Sequence, residues 1–273
     1  MTELPEVQTC RLADGKKIAW REWGSGSRLI LLHGWSMSSV VFAEVAPRLA
    51  KKHRVLCPDL PGHGHSDPFA GDRLSHLAAA VAQWADLLAL QEVDLLGWSL
   101  GGQIALQLAI NKQLALKKLL LVATTPRFCQ ADDWKHGLPT TQVKALARNL
   151  GRCYEKTLGD FFKLQFVGES LTKERYRQII AFAVRTGCLP DPEQSKLLLN
   201  LLASVDLRSE LAAIDVPVHL LHGQLDTIIP PAAGEYLAQN LADAVIDRMP
   251  GVGHSPFFSR PQESVELWQK YLK

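Results

Sequence analysis

Two kinds of hydrophobic pattern alternate along most of this chain. The segments "RLILLH", "RVLCPDL", "VDLLGW" and "LKKLLLVAT" are apolar at nearly every position, as strands buried on both faces are. After the first three come stretches with helical spacing of apolar residues: Val40 to Lys51, Leu74 to Leu88 and Gln103 to Ile110. That alternation predicts a mainly parallel sheet with helices on both faces. Ahead of it, "TCRLADGKKIAWREW" alternates apolar and polar residues about Asp14-Gly15 and predicts an antiparallel hairpin. From Pro126 to about Val205 the helical spacing continues, in "TQVKALARNLGRCYEKTL", "TKERYRQIIAFAVR" and "PEQSKLLLNLLASV", without a buried strand. The strand and helix rhythm resumes with "VPVHLLHG", "AAGEYLAQNLA", "AVIDRMPG" and "QESVELWQKYL". The pattern therefore predicts an α/β core formed by residues 1–125 and 206–273, interrupted by a helical lid at 126–205.

With 273 residues, 47% of them hydrophobic, the chain can bury the core this plan requires. A net charge of +2 gives no global pull toward nucleic acid or a membrane surface. Five widely spaced cysteines without a CxxC pair argue against a disulfide framework and a zinc site. The N-terminus "MTELPEVQTC" lacks the basic start and apolar run of a signal peptide, and no long apolar span follows. The expectation is a cytoplasmic protein that needs no metal or cofactor.

In open α/β sheets, ligands bind beyond the carboxyl ends of the strands, so the residues just after each strand form one surface. Here they include His33-Gly34-Trp35, Gly97 to Leu100, Gln224-Leu225-Asp226 and Val252-Gly253-His254. "GWSLGG" places Ser99 between glycines at a strand-to-helix turn, where it is either a nucleophile or a small residue in a tight bend. Acyl transfer by serine needs a base, an acid to orient that base, and donors for the developing oxyanion. His254 in "PGVGHSPF" is the candidate base and Asp226 the candidate acid. Thr124 and Thr125 stand where an acid after "LKKLLLVA" would have to be. The chain order Ser99, Asp226, His254 fits this topology, and the N–H groups of Trp35 and Leu100 are the candidate oxyanion donors. Trp98 is read equally as a pocket wall or a core aromatic. His33, His63, His65 and His222 are read as residues that shape loops, and Asp206 as a helix N-cap with Glu210 in capping-box position.

Taken together, "LLHGW", "PDLPGHGHS", "GWSLGG", "GQLDTIIP" and "GVGHSPF" resemble the α/β-hydrolase family over nearly the whole chain. A serine rather than an aspartate at position 99 points to esters or thioesters, through an acyl-serine and then water. "VATTPRFCQADDW", "FFKLQFVGES" and "SVDLRSEL" narrow the resemblance to the pimeloyl-[acyl-carrier protein] methyl ester esterases of biotin synthesis. That resemblance implies hydrolysis of the methyl ester at the far end of a carrier-bound pimeloyl chain. It also implies an acyl channel lined by Phe161, Phe162, Lys163, Leu164 and Gln165, and docking of an acidic acyl carrier protein on Lys156, Lys173 and Arg177. Asp160 departs from the pattern, standing where a further cation is expected.

Charge agrees with a local polar partner: residues 127 to 196 carry twelve Lys and Arg against eight Asp and Glu. Lys144, Arg148, Arg152 and Lys156 recur every four residues, placing them on one flank if the helix is continuous. A solvated helix face is the alternative. The competing functional readings are a broad carboxylesterase or perhydrolase with the same triad, and a hydrolase-like ligand receptor.

Overall fold

The computed structural model describes residues 3–184, 186 and 188–273. Its sheet has eight strands: β1 (Gln8–Arg11), β2 (Lys17–Trp23), β3 (Ser27–Leu32), β4 (His53–Pro58), β5 (Val93–Trp98), β6 (Leu116–Val122), β7 (Val218–Gly223) and β8 (Ala244–Met249). They lie in the order β1-β2-β4-β3-β5-β6-β7-β8. The β1–β2 pair turns at Asp14-Gly15, where Gly15 has φ +81°, and it joins the sheet antiparallel through β2 and β4; the remaining pairs are parallel.

The continuous apolar runs are explained by burial on both faces. In β3, Leu29 and Leu31 enter one core while Ile30 and Leu32 enter the other; in β6, Leu119 and Leu121 face opposite to Leu120 and Val122. The helices are α1 (Ala46–Leu49), α2 (Leu74–Leu87), α3 (Leu100–Ile110), α4 (Thr140–Leu150), α5 (Tyr154–Leu164), α6 (Lys173–Ile179), α7 (Pro192–Ser204), α8 (Pro231–Asn240), α9 (Pro256–Ser259) and α10 (Pro261–Tyr271). None of the helices among the described residues is long and apolar enough to cross a membrane. All five cysteines are free thiols.

Three local expectations are corrected. Val40 to Lys51 is not one helix: a 3-10 turn at Ser39–Phe42 is followed by α1, with Pro47 in its first turn. A proline there has no N–H to continue an earlier helix and its ring blocks the preceding turn, so the helix starts afresh. The stretch "TQVKALARNLGRCYEKTL" is also divided, with α4 ending at Leu150 against Gly151 and α5 starting after Cys153. Lys144 and Arg148 thus ride on α4, Arg152 on the turn and Lys156 on α5, and the four cations do not share one helical flank. Asp206 caps no α-helix. It pairs with Arg127 at 2.6 Å and with Arg208 at 2.7 Å, ahead of a 3-10 helix at Arg208–Ala213.

The Arg127–Asp206 pair has a topological consequence. The chain leaves β6, passes through α4 to α7 and returns toward β7, and the two ends of that excursion meet at these residues. A bridge joins Arg127 to Asp206, and the Leu207 N–H donates to Pro126 O at 2.9 Å. The helical segment thus has a closed neck beside the carboxyl ends of the central strands.

Candidate active site

The position of Ser99 follows from a turn that only small residues allow. A Cβ on Gly97 would lie 2.3 Å from Gly101 O, and one on Gly101 would lie 2.3 Å from Leu32 O. With glycine at both places, α3 starts directly from the end of β5. Ser99 takes φ +56° and ψ −115°, a strained conformation for a residue with a side chain. Its carbonyl accepts from Gly102 N at 2.9 Å, Gln103 N at 3.1 Å and Thr124 Oγ1 at 2.8 Å. Thr124, considered in the sequence only for what it is not, holds the bend closed.

Asp226 and His254 come together at 2.8 Å, Oδ2 to Nδ1, both buried. A carboxylate only accepts, so Nδ1 carries the proton and Nε2 is left as an acceptor. The second oxygen of Asp226 receives the N–H groups of Ile228 at 2.9 Å and Ile229 at 2.8 Å. His222 Nε2 lies 3.4 Å from Oδ2 and 2.9 Å from Ile229 O. Burial alone pushes the Asp226 carboxyl up, but His254 and His222 outweigh it and hold the group well below the usual carboxylate range. The contribution of His222 was not read from the sequence beyond loop shaping; its four-residue spacing from Asp226 across a turn was the available signal.

Ser99 and His254 line one small, nearly closed cavity with Trp35, Trp98, Phe161 and Gln165. No hydrogen bond joins Ser99 Oγ to the imidazole. Such contacts often close only when substrate is bound. Around this cavity, no group among the described residues accepts from the N–H of Trp35 or of Leu100, the two expected oxyanion donors. Trp98 is both a wall of this cavity and a support: its Nε1 donates to His254 O at 3.0 Å, and its ring packs edge-on against Phe257. Trp35 ties the sheet domain to the helical segment between β6 and β7, donating from Nε1 to Ser195 O at 3.0 Å and meeting Phe161 edge-to-face at 4.9 Å.

His33 and His63 brace the loop that carries Trp35. His33 Nε2 accepts from Leu60 N at 3.0 Å, and His63 Nε2 accepts from Ser36 N at 3.2 Å. Burial holds both neutral, lowering His33 to about 4 and His63 to about 3, the latter also through neighbouring His33. The unfolded chain binds these protons near pH 6.5 and the folded chain refuses them, so stability falls as the pH drops below about 6.5. His53 and His219, lowered chiefly by burial, act in the same direction. Urea unfolding at pH 7 and pH 5 is expected to show a loss on the order of 2 kcal/mol for each of His33 and His63. Equal stability at the two pH values would contradict this.

The run expected to line an acyl channel is split by helix geometry. Residues three and four apart share a face. Phe161 and Gln165 reach the cavity that Ser99 and His254 line, and Leu164 lines an adjoining groove. Phe162 turns instead into the core with Phe166 and Phe258, and Lys163 points outward to Asp160 at 3.1 Å. The groove has a volume of about 800 Å3 and runs between α4 and α5, with Leu138, Val143 and Leu146 along its apolar part and Arg152 and Lys156 among its polar residues. Phe161 and Ile228 line both groove and cavity.

Lys173 and Arg177 line a different cleft with Phe166, Glu169 and Tyr176, so the three expected docking cations are not gathered in one pocket. Lys156 is paired with Asp160 at 2.7 Å, and Asp160 also holds Lys163. The residue that departs from the expected pattern thus offsets two cations of α5.

The family model for the alpha/beta hydrolase fold matches residues 27–261. The chain belongs to the α/β-hydrolase family. Among curated α/β-hydrolase relatives, the pimeloyl-[acyl-carrier protein] methyl ester esterase of Nitrosomonas europaea is 36% identical over 245 residues, 90% of this chain and 95% of its own length. The protein of the same name from Chromobacterium violaceum is 35% identical over 257 residues, covering 92% of this chain and 96% of its own. Among solved structures of the fold, an esterase from Exiguobacterium antarcticum superposes with a TM-score of 0.90 at 25% identity, covering 98% of this chain and 99% of its own.

Proposed function

We propose that this protein is a cytoplasmic serine carboxylesterase that hydrolyses the methyl ester of pimeloyl-[acyl-carrier protein], releasing methanol. The observation that carries this reading is the near full-length similarity to esterases of that name, joined to an apolar groove that lies beside the Ser99–His254 cavity and shares Phe161 and Ile228 with its lining. An acyl chain needs apolar walls, and the phosphate and acidic carrier outside the groove favour cations such as Arg152 and Lys156.

In the proposed reaction Ser99 Oγ attacks the ester carbonyl while His254 Nε2 takes its proton, with Asp226 steadying the imidazolium. The N–H groups of Trp35 and Leu100 receive the oxyanion. The tetrahedral intermediate collapses with loss of methoxide, protonated by His254, to an acyl-Ser99. Water activated by the same imidazole then attacks the acyl carbonyl, freeing the carboxylate and restoring Ser99. Residues 126–205 act as a lid over this centre.

Complementation of a biotin auxotroph lacking the methyl ester esterase tests the reading. Rescue by the wild type and not by Ser99→Ala is expected; no rescue despite soluble expression would favour a broad carboxylesterase. One observation favours that second reading, because Asp160 offsets Lys156 and Lys163 where carrier docking needs free cations. Charge reversal at Lys156, Lys173 and Arg177 is expected to raise KM for the carrier-linked ester by about tenfold while sparing a short p-nitrophenyl ester. Equal effects on both substrates would defeat the docking surface.

A further inference from the structure

Three consecutive residues of the loop bearing His254 are held from the lid side. The Gly253 N–H donates to Glu169 Oε1 at 2.8 Å, the His254 N–H donates to Gln165 O at 2.9 Å, and Ser255 Oγ donates to the Gln165 side-chain carbonyl. From the core side the loop is held by Trp98 Nε1 on His254 O and by Asp226 on the imidazole. The lid contact leaves no slack: a Cβ on Gly253 would sit 2.3 Å from Gln165 O and 2.9 Å from Glu169 Oε1. Gln165 and Glu169 face the same loop because the chain turns between them, with Gly168 at φ +82°.

We propose that Gln165 and Glu169 are positioning residues for the general base, so that His254 stands in working register only while this end of the lid is seated. The proposal rests on the reading of His254 as the base. It assigns different duties to the two ends of α5. Its carboxyl end and the turn beyond are anchored to the catalytic loop, whereas its amino end and α4 flank the groove and make none of these bonds. Movement that admits a long acyl chain therefore belongs to the α4 side, because lifting residues 165 to 169 would carry the base away from Ser99. Glu169 is half-buried, and burial pushes its carboxyl up from the usual range. Either protonation state still offers Gly253 an accepting oxygen.

The test compares Glu169→Met, which removes the acceptor, with Glu169→Gln, which keeps one, in the full chain with a short p-nitrophenyl ester. Glu169→Met is expected to lower kcat about tenfold, since a modest displacement of a reacting group costs one to two orders of magnitude. KM stays within about twofold, because Glu169 acts through His254 and not on substrate. Labelling of Ser99 by a fluorophosphonate slows by the same factor, and Glu169→Gln returns to within about twofold of wild type. If Glu169→Met does not fold, Glu169→Asp, which draws the carboxylate back by one methylene, replaces it with the same direction expected. Wild-type kcat in the folded variant, or a Glu169→Gln as impaired as Glu169→Met, overturns the proposal. His254→Ala separates the two readings: if it abolishes turnover while Glu169→Met keeps wild-type kcat, positioning alone is refuted; if it retains turnover, the assignment of the base fails and the positioning proposal with it.

Discussion

Ser99→Ala will lower kcat for any ester by a factor on the order of 10⁵ to 10⁶ and leave the fold intact. The loss is large because in the proposed reaction the hydroxyl forms the covalent intermediate; without it, the proposed oxyanion donors and binding groups would supply only the residual rate. The fold survives because Ser99 Oγ makes no hydrogen bond among the described residues, so its removal orphans no buried partner. The backbone bonds from Gly102, Gln103 and Thr124 that hold the bend end on the Ser99 carbonyl, which alanine retains. Steady-state hydrolysis of a p-nitrophenyl ester, with circular dichroism and a thermal melt on the same preparation, checks both halves. A folded Ser99→Ala protein with more than about a hundredth of wild-type turnover would place the chemistry elsewhere.

Asp226→Asn is expected to lower kcat by about 10⁴-fold with little change in KM, for a reason legible in the hydrogen bonds. The N–H groups of Ile228 and Ile229 both point at one oxygen of Asp226, and the asparagine carbonyl takes that place. The amide NH2 is then turned toward His254 Nδ1, where it can only donate. The imidazole must shift its proton to Nε2, and the base is lost. His222, 3.4 Å from Oδ2, the oxygen that faces His254, loses its partial partner too, but its bond to Ile229 O remains. Wild-type activity in a folded Asp226→Asn would mean that the orientation of His254 does not depend on this carboxylate; a rise in KM with kcat unchanged would assign Asp226 to binding.

What was readable from the sequence is what local chemistry determines. The apolar runs identified the buried strands because alternate residues of β3 and β6 enter cores on opposite faces. The Gly-x-Ser-x-Gly spacing located the bend because close backbone approach at Gly97 and Gly101 forbids any side chain. Less legible was whatever depends on the packing of distant segments. Whether Trp98 is a wall or a core residue is open in the sequence; in the fold it is both, lining the cavity from a buried site with its indole N–H on the His254 carbonyl. The run Phe161 to Gln165 reads as one lining because a resemblance carries no phase, whereas the helix sends Phe162 into the core and Lys163 to Asp160. The four-residue spacing of lid cations implied one flank, but Gly151 ends α4 and separates them. Glu169 had no sequence signal at all, since its partner is a backbone N–H of Gly253, 84 residues away.

The most direct measurement is methanol release by the purified protein from pimeloyl-[acyl-carrier protein] methyl ester and from free dimethyl pimelate, compared as kcat/KM at one ionic strength. The proposed function predicts that the carrier-linked ester is preferred by at least about tenfold, that the preference shrinks as salt screens the lid cations, and that Ser99→Ala abolishes both reactions. Equal kcat/KM for the two esters, unchanged by salt, would contradict it and leave a general carboxylesterase.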